Sequence, residues 1–358
     1  MPRRYQGALA VCALLIVYAS LYPFYPLRLP GDGAVAAMFL PRYFIAFDIG
    51  LNVLAYVPFG MLACFRFRES GRAHPVLLAF ALGTALSTTM EISQLFVPTR
   101  VASIYDILSN GAGTALGALA FMEPVYSMVM RPLGEMRDRL FASGLWGDAG
   151  IVLVGLWLLA QLNPSLPFFG AGNIVDETGQ PGIYQEVLLL IGVGLSICGF
   201  GLFVSSLMRV GAGALRATVV LLSIALWLKF AAASVMLKPN FSTDWVNAGR
   251  VAGLIAGLLA FAFMRKLGKL TRIYLALVFV TAGALFTKIF GSYNPIEEIL
   301  HFFNWPYGQL GGFATLTGYM HELWPFAAIV FLIGYFFHTR KITTMLERTQ
   351  SLASRNFQ

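Results

Sequence analysis

The sequence predicts an all-α fold, a polytopic bundle of about ten transmembrane helices with both termini cytoplasmic. Three observations predict it. Only 12% of the 358 residues are charged while 58% are hydrophobic; a soluble domain carries roughly 25% charged residues, so this chain lacks the polar surface to face water. The apolar residues fall into runs of about 18 or more with few charges, the length that crosses the hydrocarbon of a bilayer, and mean hydropathy is +0.73. Basic residues concentrate in every second loop, the signature of alternating topology.

The elements follow in order. The first run, Gly7 to Phe24, comes after Arg3 and Arg4. It is longer than the apolar stretch of a signal peptide and has no small-x-small cleavage site before Pro23 and Pro26, so it is expected to remain as the first helix. Further spans are expected over 44–65, 75–95, 102–122, 149–166, 186–208, 215–237, 246–264, 272–291 and 322–338. Arg66, Arg68 and Arg72 follow the second span, and Arg131, Arg137 and Arg139 the fourth. Arg209 and Arg216 follow the sixth, Arg265, Lys266, Lys269 and Arg272 the eighth, and Arg340, Lys341, Arg348 and Arg355 lie in the tail. The opposite loops are poorer in base, with Arg28 and Arg42, then Arg100, none in 167–185, then Lys238. The positive-inside rule therefore places both termini in the cytoplasm, which requires an even number of spans. Tyr22, Tyr25, Trp245 and Trp324 stand at expected outer ends, where aromatic side chains anchor at the interface. The stretch 292–321 is interrupted by Pro295, Pro306, Gly308 and Gly311–Gly312, and Glu297 to Trp305 is expected to form a short helix on the outer surface, or else a re-entrant segment.

Composition excludes several classes. The net charge of +8 is divided among short loop clusters and forms no basic stripe, so nucleic acid is not an expected partner. Cys12, Cys64 and Cys198 each lie inside an apolar run, which argues against a disulfide framework or a zinc site. No HExxH, phosphate-binding glycine loop or G-x-S-x-G occurs, and His301 and His321 lack close ligand spacing, so neither a metal nor a cofactor is expected.

The segment 123–148 carries both charge signs and divides the chain into a four-helix membrane part over 1–122 and a six-helix extension over 149–340, with a cytoplasmic tail at 341–358. An echo runs through the first part: Asp48-Ile-Gly-Leu-Asn52 and Asp106-Ile-Leu-Ser-Asn110 open the second and fourth spans, followed by Gly60 and by Gly113 and Gly117. Both helices run outside to inside, so the relation is parallel. Asp48 with Asn52, and Asp106 with Asn110, are four apart and share a helix face; Glu91 and Gln94, three apart, do the same near the outer end of the third span. Arg100 sits in the VPTR turn. These seven residues share one depth near the outer leaflet. A single helix-end acid there is ordinarily structural, bonding helix to helix. The whole set points to a functional site, because ionisable groups inside the membrane are rare and mark pockets or pathways. Arg100, in a short turn at the water interface, is expected to face an incoming phosphate or carboxylate, with neutralisation of Glu91 or Asp106 as its other role.

Those residues carry a resemblance. D-I-G-L-N-V-L-A-Y-V-P-F-G at 48–60, E-I-S-Q-L-F-V-P-T-R at 91–100 and D-I-L-S-N-G-A-G-T-A-L-G at 106–117 resemble, in order and spacing, the motifs of the VanZ-like family of bacterial membrane proteins. The match covers about the first third of the chain. The resemblance implies a setting in the bacterial envelope and a link to glycopeptide (teicoplanin) resistance, but no reaction.

In the extension, Lys229 and Lys288 lie inside expected spans and Arg250 one turn into another, with Glu186, Asp244, Glu297, Glu298 and Glu322 as possible partners. Salt-bridged packing and a transport or binding path are both open for them. The resulting expectation is a multi-pass inner-membrane protein in contact with membrane lipids. Its polar cluster would bind a polar envelope component: a lipid headgroup, a lipid-linked precursor or an amphiphilic antibiotic. The alternatives are a membrane enzyme acting on a lipid-linked substrate, a transporter and a scaffold.

Overall fold

The structure, a computed structural model, describes residues 6–40, 46–120, 122–163, 182–209, 213–236, 246–290 and 307–355. The regular secondary structure of the described residues is all helix, with one isolated bridge between Phe141 and Met208. Helices α1 (Gln6–Leu21), α2 (Ala34–Phe39), α3 (Ala46–Glu69), α4 (Pro75–Gln94) and α5 (Ile104–Leu119) are followed by a short helical stretch over 123–130 and by α6 (Arg131–Leu140). Then come α7 (Leu145–Ala160), α8 (Ile183–Leu207), α9 (Ala214–Met236), α10 (Ala248–Met264), α11 (Lys269–Phe290) and α12 (Tyr307–Arg355). Each apolar run of the sequence falls on one of these helices. Six are long and apolar enough to cross a membrane: the stretches Ile49–Glu69, Pro75–Gln94, Ile183–Leu207, Ala214–Ser234, Lys269–Phe290 and Leu316–Met345. Gly7–Leu21, Leu145–Ala160 and Ala248–Met264 are apolar but shorter.

Two departures from the sequence expectation have local causes. The connection over 123–140 is helical, because its charges match helical spacing: Glu135 and Arg139 pair at i, i+4. The last helix begins at Tyr307 and runs to Arg355, well beyond 322–338 at both ends. Gly308, Gly311 and Gly312 are carried inside it, since a glycine costs a helix only about 1 kcal/mol and does not break it as proline does. The start directly after Pro306 is the stronger punctuation. Residues 291–306, and with them the expected surface helix, lie outside the described residues.

The chain divides into two compact units, Met1–Arg139 with Tyr307–Leu316, and Leu140–Pro306 with Thr317–Gln358. In the first, α3 and α5 run side by side in the same direction. A Cβ at Gly113 would meet the backbone of Val53, one at Gly117 the backbone of Val57 and Met61, and one at Gly60 the backbone of Thr114. The partner number thus advances with the residue number. Small residues spaced four apart let membrane helices approach to backbone contact, where dispersion replaces the hydrophobic drive that lipid cannot supply. Helix α4 runs antiparallel to both and packs on α5, with Gly83 seated on the Thr114 side chain. In the second unit α8 is central, its second half buried almost residue by residue. Gly253 and Gly257 of α10 lie on Leu190 and Gly194 of α8. Trp157 stacks on Phe200 at 3.9 Å, and Trp324 packs edge-on against Phe203 while donating to the Leu153 carbonyl at 2.7 Å. Outward faces carry exposed leucine, phenylalanine and valine, such as Leu54, Leu77, Leu259, Phe263 and Val330, suited to lipid.

Candidate functional site

The polar residues of the first unit gather where α3 and α5 begin and α4 ends. Asn52 of α3 donates to the Asp106 carboxylate of α5 at 2.8 Å. Glu91, only 2% exposed, accepts the Ser103 N–H at 2.8 Å. Ser103 is also the N-cap of α5, so the start of that helix and the Glu91 carboxylate are fixed by one residue. Asp106 and Arg100 both lie within electrostatic reach of Glu91. Gln94 donates to the Ser20 carbonyl at 3.1 Å, and Arg100 Nε to the Tyr22 carbonyl at 2.9 Å, while Arg100 Nη2 bonds the Ala19 carbonyl. The Ala19 and Ser20 carbonyls lie in the last turn of α1, where carbonyls have no partner of their own within the helix, and Tyr22 follows its end directly. Burial lowers the proton affinity of the Arg100 guanidinium, and the Glu91 carboxylate raises it.

Six of the seven expected site residues are described, and five contribute to this end of the unit: Asn52, Glu91, Gln94, Arg100 and Asp106. The Asp48 side chain lies outside the described residues. Asn110 sits one turn deeper on α5 and donates to Ser87 of α4 at 2.9 Å. The echo in the sequence is therefore not reciprocal in the described bonds: Asn52 reaches the second copy's Asp106, but Asn110 turns to α4. Arg100 makes no contact within ion-pair distance of a described carboxylate; its direct bonds go to main chain.

Below Asn110 the polar column continues through residues that sequence reasoning passed over. Ser87 and Thr114 are fully buried, and Thr114 donates to the Asn110 carbonyl at 2.8 Å. Oδ1 of Asn110 is buried without a hydrogen-bond partner among the described residues, and the Tyr56 hydroxyl of α3, also buried, lies beside Ser87. A signal existed, since Tyr56 stands four after Asn52, Thr114 four after Asn110 and Ser87 four before Glu91.

A family model described as VanZ/LLP1 matches residues 8–128. This segment is VanZ-like. The match takes in α1 and the α3–α4–α5 bundle, so the VanZ-like segment contains the whole polar column together with the helix whose end Arg100 and Gln94 hold. No curated protein and no solved structure matches the chain. What the VanZ-like site offers chemically, among the described residues, is two carboxyls near each other, one buried and accepting a backbone N–H, above a column of hydroxyl and amide groups. It is rich in acceptors, and the Arg100 guanidinium is bonded to protein carbonyls.

In the second unit, Lys229 of α9 is fully buried and donates to the Asn163 backbone carbonyl at 2.8 Å. The Asn163 side chain donates to Thr317 at 3.0 Å. Arg250 of α10 lies within electrostatic reach of Glu186, whose carboxylate accepts the Gly249 N–H. Lys288 pairs with Glu322 at 3.7 Å, both partly exposed; such a pair contributes about 0–1 kcal/mol. Among the described residues no group of three or more His, Cys, Asp or Glu is placed to hold a metal.

Proposed function

We propose that the chain is a ten-span protein of the bacterial inner membrane, with both termini cytoplasmic, whose VanZ-like part binds a polar envelope component at the outer leaflet. The site comprises Asp48, Asn52, Glu91, Gln94, Arg100, Asp106 and Asn110. The observation that carries this reading is Glu91, almost wholly buried within electrostatic reach of Asp106 and secured by one N–H. Burying a carboxylate is expensive unless it is compensated, so two acids held near each other are a costly feature that packing alone does not need. Because acids outnumber the single arginine, whose direct bonds are to main chain, the ligand group that fits is a donor: the hydroxyls or ammonium of a headgroup, a lipid-linked precursor or an amphiphilic antibiotic. Glycopeptide tolerance is the phenotype that the family points to.

A scaffold role has its own supporting observation. Asn52, Glu91, Gln94, Arg100 and Asn110 each have a protein partner, and these bonds tie α1, α3, α4 and α5 together. Glu91→Gln and Asp106→Asn separate the two. Binding predicts near-normal membrane abundance with lost tolerance to teicoplanin. A scaffold predicts that abundance falls with the phenotype. Unchanged abundance and unchanged tolerance in both variants would overturn the binding role.

A further inference from the structure

The helical connection that follows α5 is amphipathic and leaves its apolar side uncovered. Val125, Val129, Leu133 and Met136 recur at four, four and three residues, the spacing that lines one side of a helix. Their exposure runs from 41% at Val125 to 50% at Met136, and no residue of α6 is buried. Arg131, Glu135 and Asp138 fall on the opposite side. With six charged residues over 123–139, this stretch is barred from crossing the hydrocarbon core.

Each end of the connection is held at the end of a helix long and apolar enough to cross a membrane. Near its start the Arg68 guanidinium lies over the Tyr126 ring at 4.5 Å, and Arg68 stands in the last turn of α3. At its finish the Leu140 carbonyl accepts the Arg209 N–H at 2.9 Å, and the Ala142 N–H donates to the Leu207 carbonyl at 2.8 Å, where α8 ends.

We propose that 123–140 is an interfacial helix, with Val125, Val129, Leu133 and Met136 sunk among lipid headgroups and the charged side in water. Lipid is the occupant of the uncovered side, because both fastenings keep the helix at the level where α3 and α8 leave the hydrocarbon. An amphipathic helix at that level buries its apolar side by about 5–10 Å into the boundary between headgroups and acyl chains. Charge does not hold it there. Glu123, Glu135 and Asp138 offset Arg131, Arg137 and Arg139, and Arg137 pairs with Asp138 and Arg139 with Glu135 within the helix. The docking is therefore indifferent to headgroup charge. The inference rests on the membrane setting, and uses neither the polar column nor the sidedness proposed above.

The full chain carrying Cys12→Ala, Cys64→Ala and Cys198→Ala is reconstituted in phosphatidylcholine vesicles, with a nitroxide attached at Leu133→Cys, Met136→Cys, Arg131→Cys or Glu135→Cys. The labels at Leu133→Cys and Met136→Cys should meet oxygen and be shielded from a water-soluble nickel chelate, at a depth of about 5–10 Å. Those at Arg131→Cys and Glu135→Cys should be open to the chelate, and adding phosphatidylglycerol should leave all four unchanged. A chelate that reaches the four positions alike would overturn the proposal. So would shielding of Leu133→Cys and Met136→Cys from both reagents, the mark of a covering protein surface, or a helix that sinks only when phosphatidylglycerol is present. Should the cysteine-free chain fail to fold, the wild type decides. In the same vesicles a phospholipid with a diazirine high on its acyl chain should label 125–136 as well as α3 around the exposed Leu54. Labelling of α3 alone would overturn the interfacial helix; loss of labelling at both would overturn the membrane setting and the proposal with it.

Discussion

Gly113→Ala tests whether the parallel contact of α3 and α5 holds the polar column in place. The added methyl would overlap the Val53 carbonyl oxygen and stand 2.9 Å from the Val53 carbonyl carbon and Cα. All three are backbone atoms, so no rotamer change relieves the contact. Ordinary carbon contacts lie at about 3.5–4.0 Å, so α3 must retreat by at least roughly half an ångström. Overpacking of this kind costs about 1–3 kcal/mol. Asn52 precedes Val53 in the chain, and its 2.8 Å bond to Asp106 lies on the same seam, so the retreat lengthens that bond as well. Gly50→Ala is the matched control, because a Cβ there meets nothing within 4 Å. It should be neutral or stabilising, by up to about 1 kcal/mol from helix propensity. Thermal unfolding of both variants in detergent, followed by monodisperse fraction against temperature, should separate them by several degrees. Equal midpoints would refute the seam.

Three further outcomes are expected. Arg100→Ala should lower membrane abundance and the unfolding midpoint. It removes two charge-assisted bonds to α1, each worth about 1.5–3 kcal/mol, and Arg100→Lys should recover part; a midpoint equal to wild type would show that these bonds do not hold α1. Lys229→Met should leave stability unchanged or raise it by about 1–4 kcal/mol, since a buried ammonium whose partner among the described residues is one carbonyl costs more than a well-packed apolar isostere; a marked fall in the midpoint would show that the charge is compensated. Reporter fusions at residue 358 and within 167–185 should give opposite signals, and equal signals would overturn the ten-span topology.

The parts of this molecule that were legible in the sequence are those written in side chains along one helix. Apolar runs located the helices, and three- and four-residue spacing placed Glu91 with Gln94, and Asp106 with Asn110, on shared faces; Gly60, Gly113 and Gly117 were visible as part of the repeated pattern, but not as a close approach. What the sequence could not display are bonds to main chain. The direct partners of Arg100 are carbonyls at the end of α1, and that of Lys229 is the carbonyl of Asn163. Any residue type supplies a carbonyl, so no pattern announces it. The paired motif at 48–52 and 106–110 invites a symmetric bond, whereas α4 lies beside Asn110 and offers Ser87. The same limit applies at Gly311 and Gly312, where local propensity favours an interruption and the apolar length of α12 outweighs it.

The parallel course of α3 and α5 has a consequence for biosynthesis. Two parallel helices cannot be consecutive, so the polypeptide must cross back through α4 before the second can be laid against the first. Helix α5 spans only Ile104–Leu119 and carries Asp106, Ser109 and Asn110 together with Gly111, Gly113 and Gly117, a poor candidate to enter lipid by itself. Helices α3 and α4, which are synthesised first, offer it an amide, a hydroxyl and a glycine-lined bed at matching heights. The earlier hairpin thus presents the packing surface for its own successor, and a ribosome stalled before Ile104 would leave that surface unfilled.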